Sequence, residues 1–235
     1  MKTYYSWECP PRALAEGNWL NFEVDLNKVF QGEKLDQFTE LPKCLEFAQE
    51  ERDILKQINL EQTNSVYYKI VADTNAYYLS PETVMKYGKK RIKELFLSFK
   101  RKIEQECEKK YGSGKVKIVL FTELIRDYKE IYEKTFTMIV ASVLAYVSQD
   151  EFQSIKQYLQ EHIGFKDGME LDQFTTRVIA SYIAEGVVIP QIFTDPIWIN
   201  YDEPPCLSAM TNRLNGKKVK IIKNYKKEEN IGGNK

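Results

Sequence analysis

The chain has 235 residues, 43% apolar and 13% aromatic, with 34 basic and 34 acidic side chains and one histidine. That length buries one core without disulfide or metal staples, and no apolar run approaches the roughly 18–20 residues a bilayer crossing needs. One histidine weighs against a histidine-based triad, and the four scattered cysteines (Cys9, Cys44, Cys107, Cys206) fit no metal-ligand spacing, so neither metal nor cofactor is expected.

The zero net charge hides a segregation. Residues 1–64 carry more acids than bases, whereas residues 86–117 carry 12 lysines and arginines against only Glu94, Glu104, Glu106 and Glu108. A second basic run occupies residues 217–227. The opening segment, Met1 to Glu8, has no hydrophobic signal-peptide centre, and the thiols read as reduced, so a cytoplasmic protein is expected.

In chain order, Pro10-Pro11 and Gly17-Asn18 mark loops, and residues 19–26 alternate like a half-buried strand. Residues 42–57 have a rough apolar side and predict a helix. Residues 66–72 (Val-Tyr-Tyr-Lys-Ile-Val-Ala) are a clear strand. Ser80-Pro81 is a helix start, with the serine as N-cap and the proline in the first turn. A helix over 81–110 places Ile92, Leu95, Phe96, Phe99 and Ile103 on one face and Lys86, Lys90, Lys93 and Lys100 on a neighbouring one. Gly112-Ser113-Gly114 ends it, and residues 115–121 are a strand. Residues 123–147 and 149–162 read as helices separated near Ser148, with His162 on a solvent-facing end. After a loop at 164–168, residues 171–184 read as a helix, and 189–201 as a strand approach interrupted by Pro190 and Pro196. Residues 230–235 read as a disordered tail. Strands alternating with long helices predict one α/β domain over residues 1–229, built on a mostly parallel sheet, with 1–60 its least readable part.

No dinucleotide fingerprint, P-loop, nucleophile elbow, zincin or kinase signature is present. Two features stand out. The stripe of like charges from Lys86 to Arg101 costs helix stability unless a polyanion visits it; a solvated face is the competing reading. Glu185 lies on an otherwise apolar helical stretch, Ser181-Tyr182-Ile183-Ala184-Glu185, before a segment ending Asn200-Tyr201-Asp202. An acid there is paired, protonated or working, or else it is a water-exposed helix end. Tyr128, Tyr182 and Tyr201 read equally as pocket residues or as core aromatics with one wet edge.

Several segments occur in an order that resembles the tRNA-dependent cyclodipeptide synthases. They are Val71-Ala72-Asp73-Thr74, the basic helix, Phe121-Thr122-Glu123-Leu124, Tyr128, Tyr132-Glu133-Lys134-Thr135-Phe136, Tyr182 to Glu185, and Tyr201-Asp202-Glu203-Pro204. The resemblance spans about residues 66–212. It implies a Rossmann-like α/β domain resembling the catalytic cores of class I aminoacyl-tRNA synthetases, and an aminoacyltransferase that takes two aminoacyl-tRNAs and releases a diketopiperazine. An amino acid delivered as a tRNA ester is already activated, which agrees with the missing nucleotide motifs. The resemblance further implies catalysis by Glu185 with Tyr182 and Tyr201, a substrate pocket including Tyr128, Ser181 and Asp202, and tRNA contacts from Lys86, Lys90, Lys93, Lys100 and Arg101.

The chain departs from the family pattern twice. Ser181 stands where the family has its late tyrosine, four residues before the glutamate, and Tyr182 precedes Glu185 by three. The family's nucleophilic serine lies in a glycine-serine turn after the first strand, and no such turn precedes Val66. Ser6, Cys9, Thr39 and Cys44 are the conceivable substitutes, and the nucleophile stays unassigned. Two other readings stand beside the synthase: a divergent transferase or inactive tRNA-binding relative, and an interaction module.

Overall fold

The structure is a computed structural model that describes residues 2–8, 65–79, 84–85, 87–111, 116–163, 169–200 and 205–223. The expected strand at 19–26, helix at 42–57, Ser80 cap and tail lie outside these residues, as do Cys9, Thr39, Cys44, Lys86, Tyr201 and Asp202.

Five strands form one sheet: β1 (Lys2–Glu8), β2 (Ser65–Val71), β3 (Val116–Leu120), β4 (Pro196–Asn200) and β5 (Lys220–Lys223). Their order is β3-β2-β1-β4-β5, and all four pairings are parallel. The expected α/β fold is therefore present. The chain builds outward from β1 to β2 and β3, then returns to place β4 on the other side of β1. That reversal between β1 and β4 is the switch point at which open parallel sheets bind ligands.

A parallel sheet needs cover on both faces, and strand alternation sorts the side chains accordingly. Tyr67, Val71, Ile118, Leu120 and Ile199 face α2 (Lys89–Tyr111), which contributes Ile92, Leu95, Phe96, Phe99 and Ile103 as the sequence periodicity predicted. α1 is the short helix Thr74–Tyr78 that follows β2. On the other face, Tyr5, Ile70 and Trp198 meet α3 (Phe121–Leu124), α4 (Lys129–Ala141) and α6 (Met169–Ile192) through Phe121, Tyr132, Ala184, Val188 and Ile189. α5 (Gln149–Ile163) and α7 (Pro205–Met210) pack outside α6 through Phe152, Ile155, Leu159 and Leu207.

Three predicted boundaries change. The basic helix begins at Lys89, because Gly88 just before it has a φ of +82°, outside the helical region. The segment 123–147 is broken: α3 starts two residues early, a 3₁₀ turn spans Arg126–Tyr128, α4 ends at Ala141, and a second 3₁₀ turn spans Val143–Ala145. No glycine or proline marks these breaks; Ile125, between α3 and the first 3₁₀ turn, is buried in the core. The separation at Ser148 is as predicted and has a capping box as its cause: Glu151 N–H donates to Ser148 Oγ at 3.2 Å, and Ser148 N–H to Glu151 Oε2 at 2.8 Å.

The third change matters most for the site. The late helix does not stop near Ala184 but continues to Ile192, with Pro190 inside it. Proline has no N–H for the carbonyl four residues back, here Gly186. Asn215 supplies the missing donor, its Nδ2 lying 2.8 Å from Gly186 O and 2.8 Å from Thr211 O. The approach needs glycine, since a Cβ at 186 would lie 1.7 Å from Thr211 O. After the helix, Asp195 turns the chain with a φ of +46° into β4, whose five residues are all buried.

Candidate functional site

Two helices on the β1–β4 face bring three polar side chains together. Ser181 and Glu185 lie one turn apart on α6, so their side chains stack, and Ser181 Oγ donates to Glu185 Oε1 at 2.9 Å. Tyr132 reaches across from α4, its phenol 3.0 Å from Ser181 Oγ. A serine hydroxyl has one proton, and here it is committed to Glu185, so Tyr132 is the donor to Ser181. The relay thus runs from Tyr132 through Ser181 to Glu185. Glu185 is 7% exposed and Tyr132 fully buried, and a carboxylate at that depth depends on such donors.

Burial, then the charge of Glu185, pushes the Tyr132 phenol well above its ordinary value, so it keeps its proton. Tyr78 packs edge-on against Tyr132 at 5.2 Å and donates to Glu133 Oε1 at 2.8 Å; burial followed by that bond raises it too. Tyr5, in the middle of β1, is fully buried and also raised, by burial and then by Glu185. Its hydroxyl has no hydrogen-bond partner among the described residues, and Thr74, fully buried, lies beside the Tyr132 phenol and holds it down slightly by a side-chain hydrogen bond.

A second cluster sits where β2 and β3 end. Asp73 is 2% exposed and accepts hydrogen bonds from Thr122 N–H at 2.9 Å and from the Thr122 hydroxyl. Burial outweighs these bonds and raises Asp73 to about 6. Next door, burial would raise Glu123, but Lys100 at 2.9 Å outweighs it and holds the carboxyl below its usual range. Two segments singled out in the sequence, Asp73-Thr74 and Thr122-Glu123, are thereby joined in space.

The sequence-predicted residues fall as follows. Ser181 and Glu185 are directly hydrogen-bonded. Tyr182 is partly buried, its ring 6.3 Å from that of Trp198. Tyr128 donates to Gln191 O at 3.0 Å, which is about 9 Å along α6 from Glu185 at the helical rise. Lys90, Lys93 and Arg101 are exposed on α2, while Lys100 is turned into its ion pair with Glu123. Ser6 is fully buried, accepts from the Tyr67 hydroxyl at 2.8 Å, and shares the α2 face of the sheet with Tyr67, opposite the Tyr5 and Glu185 face.

Tyr132, Tyr5 and Thr74 received no role from the sequence. Tyr132 had a usable signal: with Thr135 and Ile139 it falls on the buried stripe of α4, and a tyrosine on such a stripe needs a partner for its hydroxyl. Among the described residues no three potential metal ligands cluster, and no helix is long and apolar enough to cross a membrane.

No family model and no curated protein sequence matches the chain. Solved structures do resemble it. AlbC, a cyclodipeptide synthase from Streptomyces noursei, has a TM-score of 0.53 at 9% identity, over 97% of each chain. A CDPS from Fluoribacter dumoffii has a TM-score of 0.52 at 8% identity, over 94% of this chain and 88% of the other. A tyrosyl-tRNA synthetase from Leishmania major, in complex with tyrosinol, has a TM-score of 0.46 at 11% identity, over 25% of its own chain. The first two matches show that the chain shares the fold of these proteins.

Proposed function

We propose that the chain is an aminoacyltransferase of the cyclodipeptide synthase type, drawing aminoacyl groups from tRNA and joining them into a small cyclic dipeptide. The observation that carries this reading is the buried Tyr132–Ser181–Glu185 relay on a sheet that resembles AlbC over nearly its whole length. The relay holds a carboxylate ready to take a proton from a substrate ammonium. The freed amine attacks the ester carbonyl of an aminoacyl group, and the ribose hydroxyl of the tRNA leaves. Tyr182, Tyr201, Tyr128 and Asp202 border the aminoacyl group in this reading, and the exposed Lys90, Lys93 and Arg101, with Lys86, contact the tRNA backbone. A cytoplasmic location follows from the same substrates.

The test is to purify the chain from cells, extract bound RNA and analyse the medium by mass spectrometry. Bound tRNA with a new diketopiperazine is expected, and Glu185→Gln abolishes the product while sparing the RNA. Unchanged turnover in that variant would remove Glu185 from the chemistry.

One observation favours a second reading. Ser6, the only serine on β1, faces α2 and not Glu185, so it does not serve the relay as a nucleophile. A tRNA-using transferase without a seryl intermediate, or a tRNA-binding relative without turnover, accommodates this. Bound tRNA without cyclic product is its signature.

A further inference from the structure

We propose that Asp73 is a positioning residue of the relay: by tying the start of α1 to the start of α3 it closes a clamp around the Tyr132 ring. Its effect on turnover rests on the transferase reading. Tyr132 is fully buried and gripped edge-on from two elements, by Tyr78 of α1 at 5.2 Å and by Phe121 of α3 at 5.6 Å between ring centroids. Those two rings arrive on separate excursions from the sheet, one after β2 and one after β3. The register sets the two excursions side by side: Val71 pairs with Leu120, and Asp73 and Thr122 each lie two residues further on. Asp73 joins them. Its Oδ1 accepts from Thr122 N–H at 2.9 Å and its Oδ2 from the Thr122 hydroxyl, and Thr122 directly follows Phe121.

Asp73 is not used as an ordinary helix cap. An aspartate at the N-cap bonds the N–H groups of its own first turn. Asp73 is the N-cap of α1, yet its side chain makes no such bond there. Its carboxyl reaches 49 residues along the chain instead, to a helix whose own N-cap, Leu120, has no side-chain oxygen to offer. α3 is therefore capped from α1. Both carboxyl oxygens go to one residue, which fixes orientation as well as distance. The other side of α3 is anchored too, because Lys100 of α2 holds Glu123, next to Thr122, at 2.9 Å. With α3 fixed, a tilt of α1 at Asp73 passes to Tyr78 and on to the Tyr132 phenol, which feeds Glu185 only while it stays near 3.0 Å from Ser181 Oγ. A misplacement of about 1 Å that starts far from the chemistry can cost about 100-fold in rate.

The test uses the full-length chain carrying Asp73→Ala, Asp73→Asn or Thr122→Val, with Asp73→Ala also combined with Tyr132→Phe. In transfer from aminoacyl-tRNA, Asp73→Ala is expected to lower kcat about 10- to 100-fold with KM nearly unchanged. Asp73→Asn, which keeps an acceptor for Thr122 N–H, restores most of that loss. In the Tyr132→Phe background Asp73→Ala has no further effect, because both changes act through one hydroxyl. Tyrosine ring flips followed by NMR need no turnover. The Tyr132 ring is expected to flip at least about 10-fold faster in Asp73→Ala, its barrier lowered by the open clamp. Tyr67, buried on the other face of the sheet, keeps the parent's rate. Thr122→Val removes one of the two bonds, moves both readouts in the same direction by less, and serves where Asp73→Ala does not fold. Additive losses in the double variant, an Asp73→Asn chain as slow as Asp73→Ala, or Tyr132 flips at the parent's rate overturn the clamp and leave the transferase reading standing. Faster flips confined to Tyr132, with no transfer from any tRNA, support the clamp and overturn the transferase. Unchanged flips without transfer overturn both.

Discussion

At the scale of single residues, the proposed transferase reading makes Tyr132 a positioning residue, acting on the substrate amine only through Ser181 and Glu185. Tyr132→Phe keeps the ring contacts with Phe121, Tyr78 and Phe136 and removes the donor. The expected result is a kcat lowered about 10- to 100-fold with KM nearly unchanged, within the range of general acid–base effects. The acidic limb of the pH–rate profile should also move upward, since the carboxylate loses support. A purely structural tyrosine would lower stability and leave that limb in place. Asp73 makes a separate prediction. Its folded-state value near about 6 exceeds that of an aspartate in an unfolded chain, roughly 3.9, so the folded state holds the proton more tightly. The stability linked to it is therefore full at low pH and lost as the pH rises through about 6, a change on the order of 2–3 kcal/mol. Denaturation at several pH values should show this decline, and Asp73→Asn, which keeps an acceptor for Thr122, should flatten it. A variant with the parent's slope would show that other groups set the profile.

Among the elements, α6 carries the site and also the largest departure from the sequence reading. Pro190 is a helix breaker by every local rule, and a local rule cannot foresee that Asn215, from a later loop, supplies the hydrogen bond the proline leaves unmade. Asn215→Ala should cost about 1–3 kcal/mol in thermal or chemical unfolding, the penalty of an orphaned buried carbonyl. Gly186→Ala should cost at least about 2 kcal/mol, because the new methyl meets the Thr211 backbone and α7 must shift. The α2 and α5 helices lie at the other extreme. The apolar positions 92, 95, 96, 99 and 103 announced the buried face of α2, and the separation near Ser148 placed the start of α5. Both signals are local, which is why they were legible. Of the site itself, Glu185 and Ser181 were visible as an acid and a hydroxyl one turn apart on an apolar helix. Tyr132 was not tied to them, because the link crosses from one helix to another and leaves no trace in spacing.

For the whole molecule, the exposed Lys90, Lys93 and Arg101 present one side of α2 to solvent, while Lys100 is held by Glu123. If tRNA is the partner, charge reversal at the three exposed positions should weaken its binding and flatten the dependence of affinity on salt by about one unit of slope per lost phosphate contact. Lys100→Gln should change that slope less. Equal effects at all four would mean that the ion pair opens on binding. The parallel sheet was legible from alternating strands and helices, but its middle strand was not. The Lys-Thr-Tyr-Tyr-Ser-Trp-Glu of β1 has charged ends and no aliphatic run, and its burial comes entirely from neighbours on both sides.

That middle strand has a kinetic consequence. Thr3 pairs with Pro196 and Tyr5 with Trp198, so the seam through the centre of the sheet joins segments separated by most of the chain. Contacts of such long range must pay their loop-closure entropy before they give anything back. The half made of β2, β3 and α2 is comparatively local in sequence and should gain protection from hydrogen exchange early. The seam between β1 and β4, and with it the floor beneath Glu185, should be the last to close on refolding and the slowest step to complete.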